Sequence, residues 1–146
     1  MNNRAFDIML ESHNFKAVGN IFLENESLRF TLDLPKKEDA RCVYLWAEFT
    51  KYNEQCRVVY VGMAGKTLKS RCDQHQNGFI RSTTGTSHAT RLRIGIDNGM
   101  EYKIYARKSH DVEIFGEKNI PMVTIEEIAF IQKFCPPWNR RQIVRS

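Results

Sequence analysis

The sequence predicts an α/β fold of the α+β kind: a small central sheet of three strands, antiparallel or mixed, flanked by helices, with an added helix and strand ahead of it. Two near-continuous apolar runs, residues 42–46 (Cys-Val-Tyr-Leu-Trp) and 58–62 (Val-Val-Tyr-Val-Gly), lie close together in the chain. Such runs mark strands buried on both faces. Segments with helical length and their own stop signals follow, and 146 residues with 42% hydrophobic content leave room for one core.

Residues 3–12 have the length of a short helix. In residues 27–34, Leu28, Phe30, Leu32 and Leu34 alternate with other residues and define the buried face of a strand. Residues 35–39 read as an exposed connector into the apolar run that ends at Phe49. A polar loop over 50–55 follows, and residues 57–62 come soon enough to pair with the first run as a hairpin. Gly65 precedes a helix from about Lys66 to Gln76, with Asn77-Gly78 as its stop. Ser87 is placed to cap a helix over 89–96, which Asn98-Gly99 ends, and residues 102–106 form the third core strand. Residues 108–119 are expected as a surface loop. Pro121 and Thr124 introduce a last helix over 125–134, which Pro136-Pro137 must end.

The net charge of +5 and the pI near 9.1 point to a polyanionic partner, and the placement of the charge says more than its size. From Arg57 to Arg93 there are seven cations (Arg57, Lys66, Lys69, Arg71, Arg81, Arg91, Arg93) against one anion, Asp73. Residues 1–40 carry five cations and seven anions and make a poor phosphate-contact surface. Cys42, Cys56, Cys72 and Cys135 show no Cys-x-x-Cys spacing, which argues against a structural zinc site. Arg4, Asp7 and Glu11 interrupt the first apolar run, and no stretch of about 18 apolar residues is present to span a membrane. The expected setting is reducing and cytoplasmic, with no membrane partner.

Wheel positions, taken at about 100° per residue, separate the residues that carry chemistry from their neighbours. With Leu68 at zero, Cys72 falls at about 40°, His75 at about 340° and Arg71 at about 300°, so His75 and Arg71 border the face that meets the sheet. For that pair alone, a core histidine and a snorkelling flank are the competing reading. With Ile125 at zero, Glu126 falls at about 100°, beside Lys133, on a solvated edge, and Glu127 at about 200°, between Phe134 and Ile131. An inward carboxylate among apolar groups needs a cation or hydrogen bonds. A structural pair with Arg71 and a bound metal both answer that need.

Tyr44 and Tyr60 in the paired apolar strands, Arg71 and His75 one turn apart, and Glu127 and Asn139 late in the chain together resemble the GIY-YIG nuclease family. In that family two tyrosine motifs open a small α/β domain, an arginine follows on the first helix, and a late glutamate holds a divalent metal. The resemblance covers residues 42–139. It divides the chain into an N-terminal extension, residues 1–40, packed on a nuclease domain of residues 41–146. Carried over by position, Tyr44 stands for the first-motif tyrosine, Tyr60 and Gly62 for the second motif, Arg71 for the helix arginine, and His75 for the residue one turn later. His88 matches a further histidine found before the second helix in some members. Cys42 stands where glycine is usual, Val43 and Val61 replace isoleucine, and the loop from Gly62 to Arg71 is slightly longer.

The resemblance implies an endonuclease that hydrolyses phosphodiester bonds in DNA, double-stranded or branched, through a single Mg²⁺ or Mn²⁺ held by Glu127. Arg71 would stabilise the phosphate, Tyr44 and His75 would form the base system, Tyr60 would orient water or phosphate, and Asn139 would hold the glutamate or the backbone around it. Whether Tyr44 or His75 is the final proton acceptor stays open. Lys66, Lys69, Arg81, His88, Arg91 and Arg93 are the expected nucleic-acid contacts, with Arg140, Arg141 and Arg145 adding to them at the tail. Cutting both strands would need a homodimer or two sequential nicks. The alternatives are a non-catalytic nucleic-acid-binding module of the same fold and a protein-interaction domain. Gly65-Lys66-Thr67 is similar to the end of a P-loop, but that pattern needs glycine five residues earlier, where Tyr60 stands.

Overall fold

The computed structural model describes residues 1–35, 40–50, 55–81 and 83–139, and only the backbone of residues 81, 83 and 84. In chain order the elements are α1 (Asn3–Ser12), β1 (Lys16–Glu24), β2 (Ser27–Leu32), β3 (Ala40–Thr50), β4 (Cys56–Thr67), α2 (Leu68–Arg81), α3 (Thr83–Asp97), β5 (Met100–Lys108), β6 (Val112–Ile114), β7 (Glu117–Ile120) and α4 (Val123–Phe134). Five strands form one antiparallel sheet in the order β2-β1-β5-β3-β4, and β6 and β7 pair separately. None of the described helices is long and apolar enough to cross a membrane.

Helices cover both faces of the sheet. On one face Tyr44, Trp46, Val59 and Ile104 pack with Leu68, Cys72 and Phe79 of α2 and Leu92 of α3. On the other, Val43, Leu45, Val61 and Tyr105 pack with Phe6 and Leu10 of α1 and Phe130 of α4. Residues 42–49 of β3 are therefore buried without interruption, as the unbroken apolar run required. Glu48 is the exception in chemistry, and its carboxylate accepts from Arg57 Nε at 2.8 Å and from the Tyr102 hydroxyl at 2.7 Å. Those two bonds make its burial tolerable.

Three elements differ from the sequence reading. The expected three-stranded core with one added strand is a five-stranded sheet, because residues 16–24 also form a strand. A bulge between Ala17 and Gly19 breaks the two-residue period, so the buried pair Val18 and Ile21 stand three apart. Gly19 fits there because a Cβ would collide with the Thr31 carbonyl of β2. Second, α2 does not stop at Asn77-Gly78 but runs to Arg81, carried on by Phe79, which is buried against Phe30 and Trp46. Ser87, expected as a cap, lies inside α3, which begins at Thr83. Third, the expected surface loop over 108–119 contains the hairpin β6–β7. Phe115 and Gly116 form its turn with φ of 54° and 81°, and a phenylalanine at positive φ gives no turn signal in sequence. The exposed connector at 36–39, residues 51–54 of the polar loop, and the tail arginines lie outside the described residues.

Candidate active site

The residues expected to carry chemistry converge on β4, an edge strand of the sheet. Tyr44 lies opposite Gly62 in the β3–β4 register, and Tyr60 lies opposite Trp46. A Cβ at Gly62 would sit 2.5 Å from the Tyr44 hydroxyl, so the glycine is what lets this ring lie across β4. From α2, His75 reaches the same place, and the Tyr44 hydroxyl and His75 Nε2 are hydrogen-bonded at 2.5 Å. Tyr44 is 0% exposed and His75 8%. Arg71, one turn earlier and half-buried, lies within hydrogen-bond reach of both tyrosine hydroxyls, and its NH1 donates to Gln74 Oε1 at 3.1 Å.

Burial governs the protonation of this cluster. It pushes the His75 pKa down to about 3, helped by the charges of Arg71 and His88. The imidazole is therefore neutral at pH 7 and able to accept from Tyr44. Burial also raises Tyr44 well above the ordinary phenol value, reinforced by Tyr60 and only partly opposed by Arg71. For Arg71, burial works against the charge, but the two phenols outweigh it and the guanidinium is held more firmly than usual.

Glu127 arrives from the opposite layer. On α4 the buried residues are Val123 and Phe130, while Ile125, the origin chosen for the wheel, is 53% exposed. Glu127 is half-buried and stands about 40° to one side of the arc set by Val123 and Phe130, and its carboxylate accepts from the Met63 backbone N–H at the β4 edge. Burial raises its pKa, with Arg71 and the Met63 bond opposing. Glu126 is not on a solvated edge. It is half-buried and paired with Arg107 at 3.4 Å, because β5 projects an arginine toward that side of α4.

Asn139 holds backbone. Its Oδ1 accepts from the Val61 N–H at 2.9 Å, and its Nδ2 donates to the Val61 carbonyl at 2.8 Å. Trp138 N–H donates to the Val59 carbonyl at 2.9 Å. Helix α4 ends at Cys135 in the left-handed conformation (φ 46°), and the Pro136-Pro137 turn then brings the chain back along β4. Thus Glu127 and Asn139, 12 positions apart in sequence, both dock on one strand edge.

Two further residues complete the cluster. His88 on α3, expected as a nucleic-acid contact, is only 4% exposed and packs on Tyr60 with ring centroids 4.9 Å apart. Burial lowers its pKa to about 4, with Arg91 and Arg71 adding to the effect. Trp46, which the sequence reading treated only as core, touches Tyr60 at 4.6 Å, His75 at 4.9 Å and His88 at 5.5 Å between ring centroids. Its alternation with Tyr44 on β3 was the available signal. Of the expected cationic contacts, Lys66, Lys69 and Arg91 are exposed, Lys69 pairing with Asp73 at 3.1 Å. Arg93 NH1 is held by the Glu26 carbonyl at 2.6 Å, in the β1–β2 turn. The side chain of Arg81 is outside the described residues.

No family model matches the chain. Endonuclease II of Enterobacteria phage T4 is 26% identical over 87 residues, which make up 56% of this chain and 63% of that protein, so less than two thirds of the relative's length is matched. A solved structure of a bacteriophage T4 EndoII mutant gives a TM-score of 0.69 at 22% identity, covering 91% of this chain and 97% of that one, and shows the shared α+β fold. The restriction endonuclease HPY188I in complex with product DNA gives a TM-score of 0.48 at 11% identity over 99% of this chain and 84% of that one.

Proposed function

As a homologue of T4 endonuclease II the chain stands among the GIY-YIG nucleases, and from that premise we propose that it is a metal-dependent endonuclease hydrolysing phosphodiester bonds in DNA. The observation that carries the reading is the convergence of a Tyr44–His75 hydrogen bond, Arg71 and the Glu127 carboxylate on one strand edge.

The residues fit a divalent cation. Glu127 is a partly buried carboxylate whose raised pKa reports a charge left short of compensation, which a hard cation would supply. Among the described residues no three of His, Cys, Asp and Glu gather to form a fuller ligand set, so Glu127 would hold Mg²⁺ or Mn²⁺ together with waters and phosphate oxygens. When bound, the ion supplies stabilisation of charge on the phosphate and the departing oxygen.

The protein's own groups do the rest. Arg71 is permanently cationic and presents a forked donor to the non-bridging oxygens as negative charge builds there. A free Tyr44 phenolate is disfavoured by burial. The hydrogen bond to His75 offers another route: as the phenol oxygen takes a proton from the attacking water, it passes its own to Nε2. The resulting imidazolium is costly beside Arg71, and the phosphate anion in the site offsets that cost. Tyr60 orients the water or phosphate, with His88 and Trp46 packed behind it. Lys66, Lys69 and Arg91 provide backbone contacts around the site.

Incubation with supercoiled plasmid and Mg²⁺, with and without chelator, tests the reading. Cleavage that chelator and Glu127→Ala both abolish is the expected result. Retained DNA binding with no cleavage at any metal concentration would make the chain a non-catalytic nucleic-acid-binding module.

A further inference from the structure

Arg107, at the end of β5, gathers three elements on the α1/α4 face of the sheet. Its NH1 donates to the His13 carbonyl at the C-terminus of α1, at 3.1 Å. Its NH2 donates to Glu126 Oε1 of α4 at 3.4 Å, and its guanidinium carbon lies 5.4 Å from the centroid of the Phe130 ring. The same ring meets Phe15, just beyond α1, at 4.9 Å. Residues 13–15 and the centre of the sheet therefore grip one stretch of α4, and the residue after Glu126 is Glu127.

As a source of stability this pair is poorly built. Only one Glu126 oxygen is engaged, by a long contact, and Glu126 Oε2 and Arg107 Nε are both buried with no hydrogen-bond partner among the described residues. An incompletely satisfied buried ion pair often gives no net stability over apolar groups of similar volume. What it does supply is direction. A charged fork between a carbonyl on one helix and a carboxylate on another permits few arrangements, whereas an apolar contact permits sliding and rotation. A rotation of α4 of a few tens of degrees would carry Glu127 away from the Met63 N–H and from Arg71.

We propose that Arg107 and Glu126 are positioning residues that set the rotation of α4 and so hold Glu127 at the β4 edge, with α1 as the third point of the brace. This gives part of the N-terminal extension a task in the active site although it contributes no group to it. The inference rests on the reading of Glu127 as the metal-holding carboxylate.

The double variant Arg107→Met/Glu126→Leu separates positioning from stability. Its melting temperature should match or exceed that of the parent protein. Measured on protein shown to be folded by near-UV circular dichroism, kcat should fall by about a hundredfold, and Mn²⁺ affinity, titrated by electron paramagnetic resonance without DNA, by about tenfold. Folded double variant with kcat and Mn²⁺ affinity both within twofold of the parent would overturn the proposal. Should the double variant not fold, Arg107→Lys, which keeps the charge and loses the fork, is held to the same two readings. Glu127→Gln in the parent background keeps the two failures apart. If it retains Mn²⁺ binding and cleavage, the metal assignment itself falls; if it loses both while the double variant does not, only the brace falls.

Discussion

A single added methyl group tests how closely the two tyrosine strands must approach. At Gly62 it would press on the Tyr44 ring, so Gly62→Ala must push Tyr44 off His75 or spread β3 from β4. Either shift misplaces the relay, and a fall in kcat of about a hundredfold is expected by steady-state nicking kinetics, with KM changed much less. Glu127→Gln should behave in the opposite way for stability. Because burial raises the folded pKa of this carboxyl, its ionised form works against folding above that pKa, and its neutral replacement should melt at the same or a higher temperature by calorimetry while cleavage is lost. At this scale the sequence was informative wherever one helix decides the matter. The wheel put His75 and Arg71 at the border of the sheet-facing side of their helix, where His75 is buried and Arg71 half-buried, and Glu127 among apolar groups of the last, where it is half-buried. It failed for Glu126, because its partner Arg107 comes from β5, and no local period reports what a strand projects toward a helix. His88 failed likewise, since a basic and hydroxyl-rich neighbourhood gave no sign that Trp46 and Tyr60 cover it.

The elements that mattered to the site were set by one or two buried residues each. Helix α2 passes through Asn77-Gly78 because Phe79 finds Phe30 and Trp46 beyond them, a long-range gain that outweighs a local stop signal. Phe79→Ala removes that gain. It should destabilise the protein by about 3–5 kcal/mol in urea unfolding and fray the last turn of α2. Strand β1 was hidden by the bulge at Gly19, where register is fixed by the neighbouring strands and not by alternation within the segment. The long apolar runs of β3 and β4 were legible because burial on both faces leaves no polar position to confuse the pattern. The residue alternation of β2 was legible for the opposite reason, having one face in the core.

For the molecule as a whole, acid is the condition to which this architecture is most sensitive. His75 and His88 have folded pKa values near 3 and near 4 against 6.5 for the unfolded chain, so below 6.5 the unfolded state binds protons that the folded state refuses. Their contribution is complete above pH 6.5 and is lost as pH falls toward 4, at up to about 1.4 kcal/mol per pH unit for each histidine. Urea midpoints measured from pH 7.5 to 4.5 should fall accordingly, and His88→Phe should flatten the slope. A profile that is level over this range would show that the two rings are solvated. Activity of the folded protein should hold over that range and fail only near pH 3, where a protonated His75 has no lone pair to offer Tyr44.

The edge of the sheet carries a consequence of another kind. An unpaired outer strand is an invitation for a second chain to add its own backbone, and long apolar ones such as β4 are the usual starting points of aggregates. Here the Val59 carbonyl, both backbone groups of Val61 and the N–H of Met63 are already occupied by Trp138, Asn139 and Glu127. The residues that furnish the site thus also close the sheet, and a protein that loses them risks becoming insoluble as well as inactive.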